Sequence, residues 1–432
     1  MKEYISHPKL GKIPSNWKSS KLSEIVNLEH GFQFRKEDFT ESGIPVIKIN
    51  NIIGNDLNLD NLSFIDSSRL EEFTRFLIKK DDILMSLTGN IGRVLEVGSI
   101  QRDFVQNYRV GKFVPVNSNE LYNRYIKYLL SSPLVLSQFF KFSNQSAQAN
   151  FGKQDMDKVW VTIPTSPSEQ EKIANILSTV DAKIEVISQQ ITETQELKKG
   201  LMQRLLTKGI GHTEFKDSSL GEIPKCWDVI PIYELRNKQD RYGFTGGPFG
   251  SDLKSEHYTE NGVKIIQLQN IGEGEFIDKG TTYTSKEKAD ELFSCNIFPN
   301  EIILAKMAPV ARCCKVPSTD ERYVMCSDGI RLSVDTNKFD NEFVYQALNS
   351  KYFRDEAESK STGTTRARIG LKDLKLIPIL VPKYIDEQKK LANILSTVDG
   401  KLDLLSEKKT TYQELKQGLM QQLLTGKVRV NV

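Results

Sequence analysis

The sequence predicts an α+β fold. Two globular heads, each with a curved, mainly antiparallel sheet, are joined by two long helices that form an antiparallel coiled coil. Three observations predict it. The chain repeats itself at one constant offset: EQEKIANILSTVDAKI from Glu169 returns as EQKKLANILSTVDGKL from Glu387, and ELKKGLMQRLLT from Glu196 returns as ELKQGLMQQLLT from Glu414. Both copies carry a heptad seam, with Ile173, Leu177, Val180, Ile184, Ile187 and Ile191 answered by Leu391, Leu395, Val398, Leu402 and Leu405. The segments before the copies are far less alike and hold short β-branched runs bounded by Gly, Asn and Asp. The chain is therefore read as an internal tandem repeat with pseudo-twofold symmetry. Its helical part stayed fixed while its heads diverged.

Each element follows from local chemistry. The heads open alike, GKIPSNW from Gly11 and GEIPKCW from Gly221. GIPVIKINNI from Gly43 parallels GVKIIQLQNI from Gly262, and DDILMSLTGNIGRV from Asp81 parallels NEIILAKMAPVARC from Asn300. These runs read as strands and turns. Leu121 to Phe140 and Glu342 to Glu358 read as helices. Ser166, Pro167 and Glu169 supply an N-cap, a first-turn proline and a capping-box acid. The second long helix relies on Pro382 and Asp386 instead. Gly209 and Gly426 follow the last periodic residues as C-terminal caps. Leu197, Leu201 and Leu205, matched by Leu415, Leu419 and Leu423, continue the seam after a one-residue slip in phase. Gly200 and Gly418 recur inside the helices, where a close helix crossing or a partner contact would explain them. Expected boundaries are 1–168 for the first head, 169–207 for its helix and 208–221 for a polar connector. The second head follows at 222–386, then the second helix at 387–425 and a tail at 426–432. Each helix would run about 39 residues, roughly 58 Å.

Net charge is only +3, so a polyanionic partner would have to be met by local patches. All five cysteines lie in the second half, odd in number and without a CxxC pair. Reduced thiols in a cytoplasmic protein are expected, with no zinc site. The N-terminal residues lack the apolar core of a signal peptide, and no stretch of about 18 apolar residues offers a membrane span. There is no GxxxxGK[ST] loop and no Pro-Pro dipeptide, and the four histidines are scattered. No catalytic centre and no metal ligand set is expected.

What the heads do carry is polar loops with basic and amide side chains. TGGPFGSDLKS from Thr245 offers Gly247 for close backbone approach, with Phe249, Ser251 and Lys254 as contacts. STGTTRARIG from Ser361 offers Thr364 and Thr365 for phosphate or a thymine methyl, and Arg366 and Arg368 for guanine. Lys306, Arg312 and Arg331 are further basic candidates in this head. In the first head, SNQSAQANFGKQD from Ser143 holds the equivalent place. Its Gln145, Ser146, Gln148, Asn150 and Lys153 include amides of the kind that read adenine. Arg35, Lys36, Thr88, Asn90, Arg93 and Asn107 complete the candidate DNA contacts. Off the helical seam, Gln170, Lys172, Asn175 and Thr179 are matched by Gln388, Lys390, Asn393 and Thr397. A polar face repeated without need for burial predicts a repeated protein partner.

Taken with the wording IPTSPSEQEKIANILSTVDAKI and LVPKYIDEQKKLANILSTVDGKL, and with PFGSDLK followed by GVKIIQLQNIG, the chain resembles the specificity subunit of a type I restriction–modification system. The resemblance covers essentially the whole length. The first head departs from it at EHGFQFRKEDF from Glu29. It implies target-recognition domains that each bind one half of a split site in double-stranded DNA. It also implies helices that set the gap and dock two methyltransferase subunits carrying S-adenosylmethionine. Two restriction subunits, translocase–nucleases that use ATP and Mg, would join them. The chain itself would bind no cofactor and catalyse nothing. A two-headed scaffold that binds other proteins is the alternative reading.

Overall fold

The computed structural model describes residues 4–54, 56–143, 150–280, 282–363 and 366–431. It is a mixed helix and sheet structure of two compact units. One comprises residues up to Ser188 together with those from Glu407 onward, and the other Gln189–Ser406. The division falls inside both long helices, Pro167–Lys208 and Ile385–Leu423. Among the described residues, no helix is long and apolar enough to cross a membrane.

In the first unit, Trp17–Lys21 pairs antiparallel with Trp160–Pro164, which brings both ends of the head to the start of the long helix. A four-stranded antiparallel sheet runs in the order Val94–Glu96, Ile83–Ser86, Val110–Pro115, Val26–His30. A second sheet has the order Val105–Gln106, Ile44–Ile47, Ser63–Ile65, Phe39–Thr40, and its Val105–Val46 pairing is parallel. The segment expected as one helix from Leu121 is two, Asn123–Leu130 and Pro133–Ser143. Ser132 ends the first by donating its hydroxyl to the Leu129 carbonyl, and Pro133 starts the second because it has no amide hydrogen to leave unpaired. Tyr125, Leu129, Phe139 and Phe151 form the core with Ile173 and Leu177 from the long helix and Leu423 and Leu424 from the end of the other.

The second unit repeats these choices. Trp227–Pro231 pairs with Pro378–Pro382. The antiparallel sheet runs Phe244–Gly246, Gly329–Leu332, Ile302–Ala305, Cys313–Lys315. A five-stranded sheet includes the parallel pair Val263–Ile266 with Tyr323–Met325. The segment from Glu342 is also two helices, Asn341–Leu348 and Lys351–Ser359, broken where Ser350 caps the Phe353 amide. Leu205 and Leu206 from one long helix and Leu391 and Leu395 from the other lie in this core.

In each unit the two helical segments run antiparallel. Lys416 meets Asp181 at 2.6 Å in the first, and Lys198 meets Asp399 at 2.6 Å in the second. At the helix starts, Arg429 forks onto Glu169 at 2.7 and 2.8 Å. His212 meets Glu387 at 2.6 Å. Glu169 therefore serves the chain returning from the other helix, rather than the capping box expected for it. The later seam needs a second correction. Leu205 and Leu423 are buried, but Leu197 and Leu415 are 53% and 47% exposed. The phase slip turns them outward. Gly209 and Gly426 take positive φ, as helix-ending glycines do. A Cβ at Gly200 or Gly418 would meet nothing within 4 Å, so no close crossing within the described chain accounts for these two glycines.

Candidate nucleic-acid interface

The candidate loops of each head are tied together through the backbone. In the first head, Phe32 N donates to Gln106 O (2.9 Å), Asn107 N to Ile47 O (3.1 Å), Leu87 N to Arg109 O (2.9 Å) and Phe151 N to Leu87 O (2.9 Å). In the second, Gly247 N donates to Gly329 O (2.9 Å), Cys326 N to Ile266 O (2.9 Å), Lys306 N to Asp328 O (2.7 Å) and Ile369 N to Lys306 O (2.9 Å). Glycine is required at one approach in each. A Cβ on Gly31 would lie 2.1 Å from the Gln106 oxygen, and one on Gly247 would lie 1.8 Å from the Cys326 oxygen. Gly247 is thus a packing glycine, whatever else its loop does.

Two further pairs hold the loops in both heads. Asn51 accepts from Lys48 N and donates to Asn58 O; Asn270 accepts from Gln267 N and donates to Ile277 O. Arg93 donates to Ile52 O, and its counterpart Arg312 donates to Ile271 O. Arg312 also donates to Ala308 O and Leu268 O, both at 2.9 Å.

That bonding corrects several expected DNA contacts. Arg312 is buried and spends its guanidinium on three carbonyls, so it braces a loop. The Arg331 side chain, 6% exposed, is held by Asp240 and Glu301 at 2.6 Å each. Breaking a buried pair of this kind costs about 3–5 kcal/mol. Asn107 is buried, and its side-chain oxygen accepts the Arg109 amide, fixing a turn. Lys306 is half-buried and donates to Ser327 O at 2.6 Å; burial lowers its pKa from the usual ammonium value. The Thr88 hydroxyl oxygen is buried with no partner among the described residues.

The remaining candidates are surface groups. Arg35, Lys36, Asn90, Arg93, Asn150 and Lys153 are exposed in the first head. In the second, Ser251, Lys254, Arg366 and Arg368 are exposed, and Phe249 is 82% exposed. Arg368 meets Asp328 at 3.2 Å. Gln145, Ser146, Gln148, Thr364 and Thr365 lie outside the described residues.

The structure adds residues that motif reading missed. A cavity of about 360 Å³ in the first head is lined by Phe34, Phe39, Lys48, Asn50, Tyr108 and Arg109. The Lys48 ammonium sits 3.8 Å over the Phe39 ring and donates to Ser63, and burial lowers its pKa. None of these residues lies in a Gly-rich loop. Their signal was the duplication itself, since VQNYRVGKF from Val105 stands where VMCSDGIRL from Val324 stands in the second head.

The expected partner face divides. Lys172, Asn175, Thr179, Lys390, Asn393 and Thr397 are exposed. Gln170 and Gln388 are not available to a partner, being 0% and 1% exposed. Gln170 accepts from Tyr122 N and donates to Glu120 O and Pro164 O. Gln388 accepts from Asp340 N and donates to Pro382 O. They recur because each seats a head on its own helix. Exposed apolar residues recur as well: Ile176 with Ile394, Val186 with Leu404, and Leu197 with Leu415.

The fold also gathers a histidine that looked scattered in sequence. His212, Cys226 and Glu387 bring ligand-type atoms within 4.8 Å of one another. The Glu387 oxygen bonded to His212 also accepts from Trp227 at 3.2 Å, and Arg429 on Glu169 fills the corresponding role in the first unit. The cluster is therefore a seat for a helix start.

The comparisons with known proteins agree with this duplicated, loop-bearing architecture. The family model described as type I restriction modification DNA specificity domain matches residues 14–196 and again 252–417. The chain belongs to that family and carries two copies of its domain. A putative type I restriction enzyme MjaX specificity subunit from Methanocaldococcus jannaschii is 27% identical, covering 99% of this chain and 97% of its own. The MjaVIII specificity subunit of the same organism is 30% identical over 62% of this chain and 63% of its own. The crystal structure of a type I restriction-modification S subunit from M. genitalium superposes with a TM-score of 0.59 at 18% identity, covering 95% and 96% of the two chains.

Proposed function

We propose that the chain gives a type I restriction–modification complex its DNA sequence specificity by reading a split site, one half with each head. One observation carries this reading. The two heads keep the same loop-bracing groups, Asn51 with Asn270 and Arg93 with Arg312, while the exposed residues on those loops differ. A shared frame with unlike surfaces suits two unlike half-sites. Surface cations and amides, namely Arg35, Lys36, Asn90, Asn150 and Lys153 in one head and Ser251, Lys254, Arg366 and Arg368 in the other, make the contacts to phosphates and base edges.

The two helices act as a ruler, paired as an antiparallel coiled coil that fixes the unread gap between half-sites. They also dock two methyltransferase subunits, which bind S-adenosylmethionine; restriction subunits using ATP and Mg complete the complex. The chain itself does no chemistry. Docking falls on the repeated exposed face of Lys172, Asn175, Ile176 and Thr179 and of Lys390, Asn393, Ile394 and Thr397. Leu197 and Leu415 add to it, each three residues before an unobstructed glycine. Two like surfaces suit two copies of one partner. The test is to map methylated bases in the source genome with the gene present and deleted. A split motif that vanishes with the gene supports the reading, whereas an unchanged methylation pattern refutes it.

A further inference from the structure

We propose that Arg109 in the first head and Arg368 in the second are the base-reading cations, presented from opposite members of one matched pair of loops. The inference rests on the reading that each head binds half of a DNA site.

Backbone bonds match the loops without recourse to sequence similarity. Thr88 bridges to Asn150 as Met307 bridges to Arg368, so position 150 corresponds to 368. Leu87 N donates to Arg109 O as Lys306 N donates to Asp328 O, so position 109 corresponds to 328. The first head thus holds Arg and Asn where the second holds Asp and Arg. The positive charge has changed sides of the same loop pair. Both arginines are exposed, and each is held at one edge by a neighbour. Arg368 leans on Asp328 at 3.2 Å. Arg109 donates Nε to the Tyr108 hydroxyl at 2.9 Å, with its guanidinium 5.4 Å from that ring.

Such buttressing limits the side-chain freedom lost on binding and leaves part of the planar donor fork facing solvent. That fork matches guanine O6 and N7. Nearby matched positions diverge too. Lys48 and Asn50 stand where Gln267 and Gln269 stand, the two glutamines being hydrogen-bonded to each other at 2.9 Å. By contrast, two of the groups that hold the loops keep their identity in both heads, Asn51 with Asn270 and Arg93 with Arg312. At 109 and 368 the divergence falls on exposed groups, which is where a ligand would act on them. In this scheme Asp328 is a positioning residue, acting through Arg368.

The test selects bound duplexes from a random double-stranded DNA pool, using the full chain in its methyltransferase complex. Wild type should recover a split motif. Arg109→Ala should lose preference at one position in one half, with discrimination there falling by roughly 5- to 150-fold. Arg109→Lys keeps the charge but not the fork. It should lose the same discrimination while holding its affinity for random DNA. Asp328→Ala should blunt one position in the other half only. An intact motif with uniformly weaker binding, or no change at all, overturns the inference while leaving the two-half-site reading standing. A wild-type complex that recovers no split motif overturns both.

Discussion

Phe249 stands 82% exposed between Pro248 and Gly250, on one of the loops proposed to meet DNA. An aromatic ring on a DNA-facing loop can stack on a base or wedge into a base step. Phe249→Ala should therefore weaken DNA binding by about 1–3 kcal/mol. Thermal stability should change by no more than about 0.5 kcal/mol, as for surface substitutions generally. Titration of a duplex with variant and wild type, beside melting curves, checks both. Unchanged binding would assign the ring another partner. At this scale the sequence showed residue types but not what they touch. Arg331 and Arg368 look alike as letters; one is locked between Asp240 and Glu301, the other is exposed against a single carboxylate. Gln170 looked like a surface amide because its three hydrogen bonds go to backbone groups up to 50 residues away.

The long helices were the most legible elements, because a heptad pattern declares itself over many turns. The parallel pairing of Val105 with Val46 was not, since it joins short strands far apart in sequence and leaves no periodic trace. Two predictions belong here. Burial alone would raise the Asp181 carboxyl, but Lys416 and Lys127 outweigh it and hold its pKa below the usual value. A depressed folded pKa means the stability it contributes is complete above about pH 4 and fades as pH falls further. Asp181→Asn should thus cost about 3 kcal/mol at pH 7. The gap between variant and wild-type melting should close on acidification below about pH 4. A gap independent of pH would mean the ion pair is not its source. The second concerns Gly200 and Gly418, where an added Cβ has open space. Alanine at either should stabilise the helix by about 1 kcal/mol. If a methyltransferase subunit packs closely there, the same changes should weaken capture of that subunit. Stabilisation with full capture would move docking off these glycines.

For the molecule as a whole, the duplication conveyed most. It gave the number of heads and the likeness of their helices, and it made matched loop positions comparable within one chain. What stayed hidden was how each head divides its polar residues between bracing and display, since that depends on which backbone groups the fold leaves unpaired. Asn107 and Arg109 are two residues apart; one fixes a turn and the other faces solvent. The central claim is that each head reads its own half of the site, and exchanging a head tests it most directly. Residues 14–165 would be replaced with the corresponding head of a family member, and the methylated sequences of cells carrying the hybrid mapped. The account predicts a motif with one half changed and the other half and the gap retained. A hybrid that assembles but changes both halves together, or neither, would contradict it.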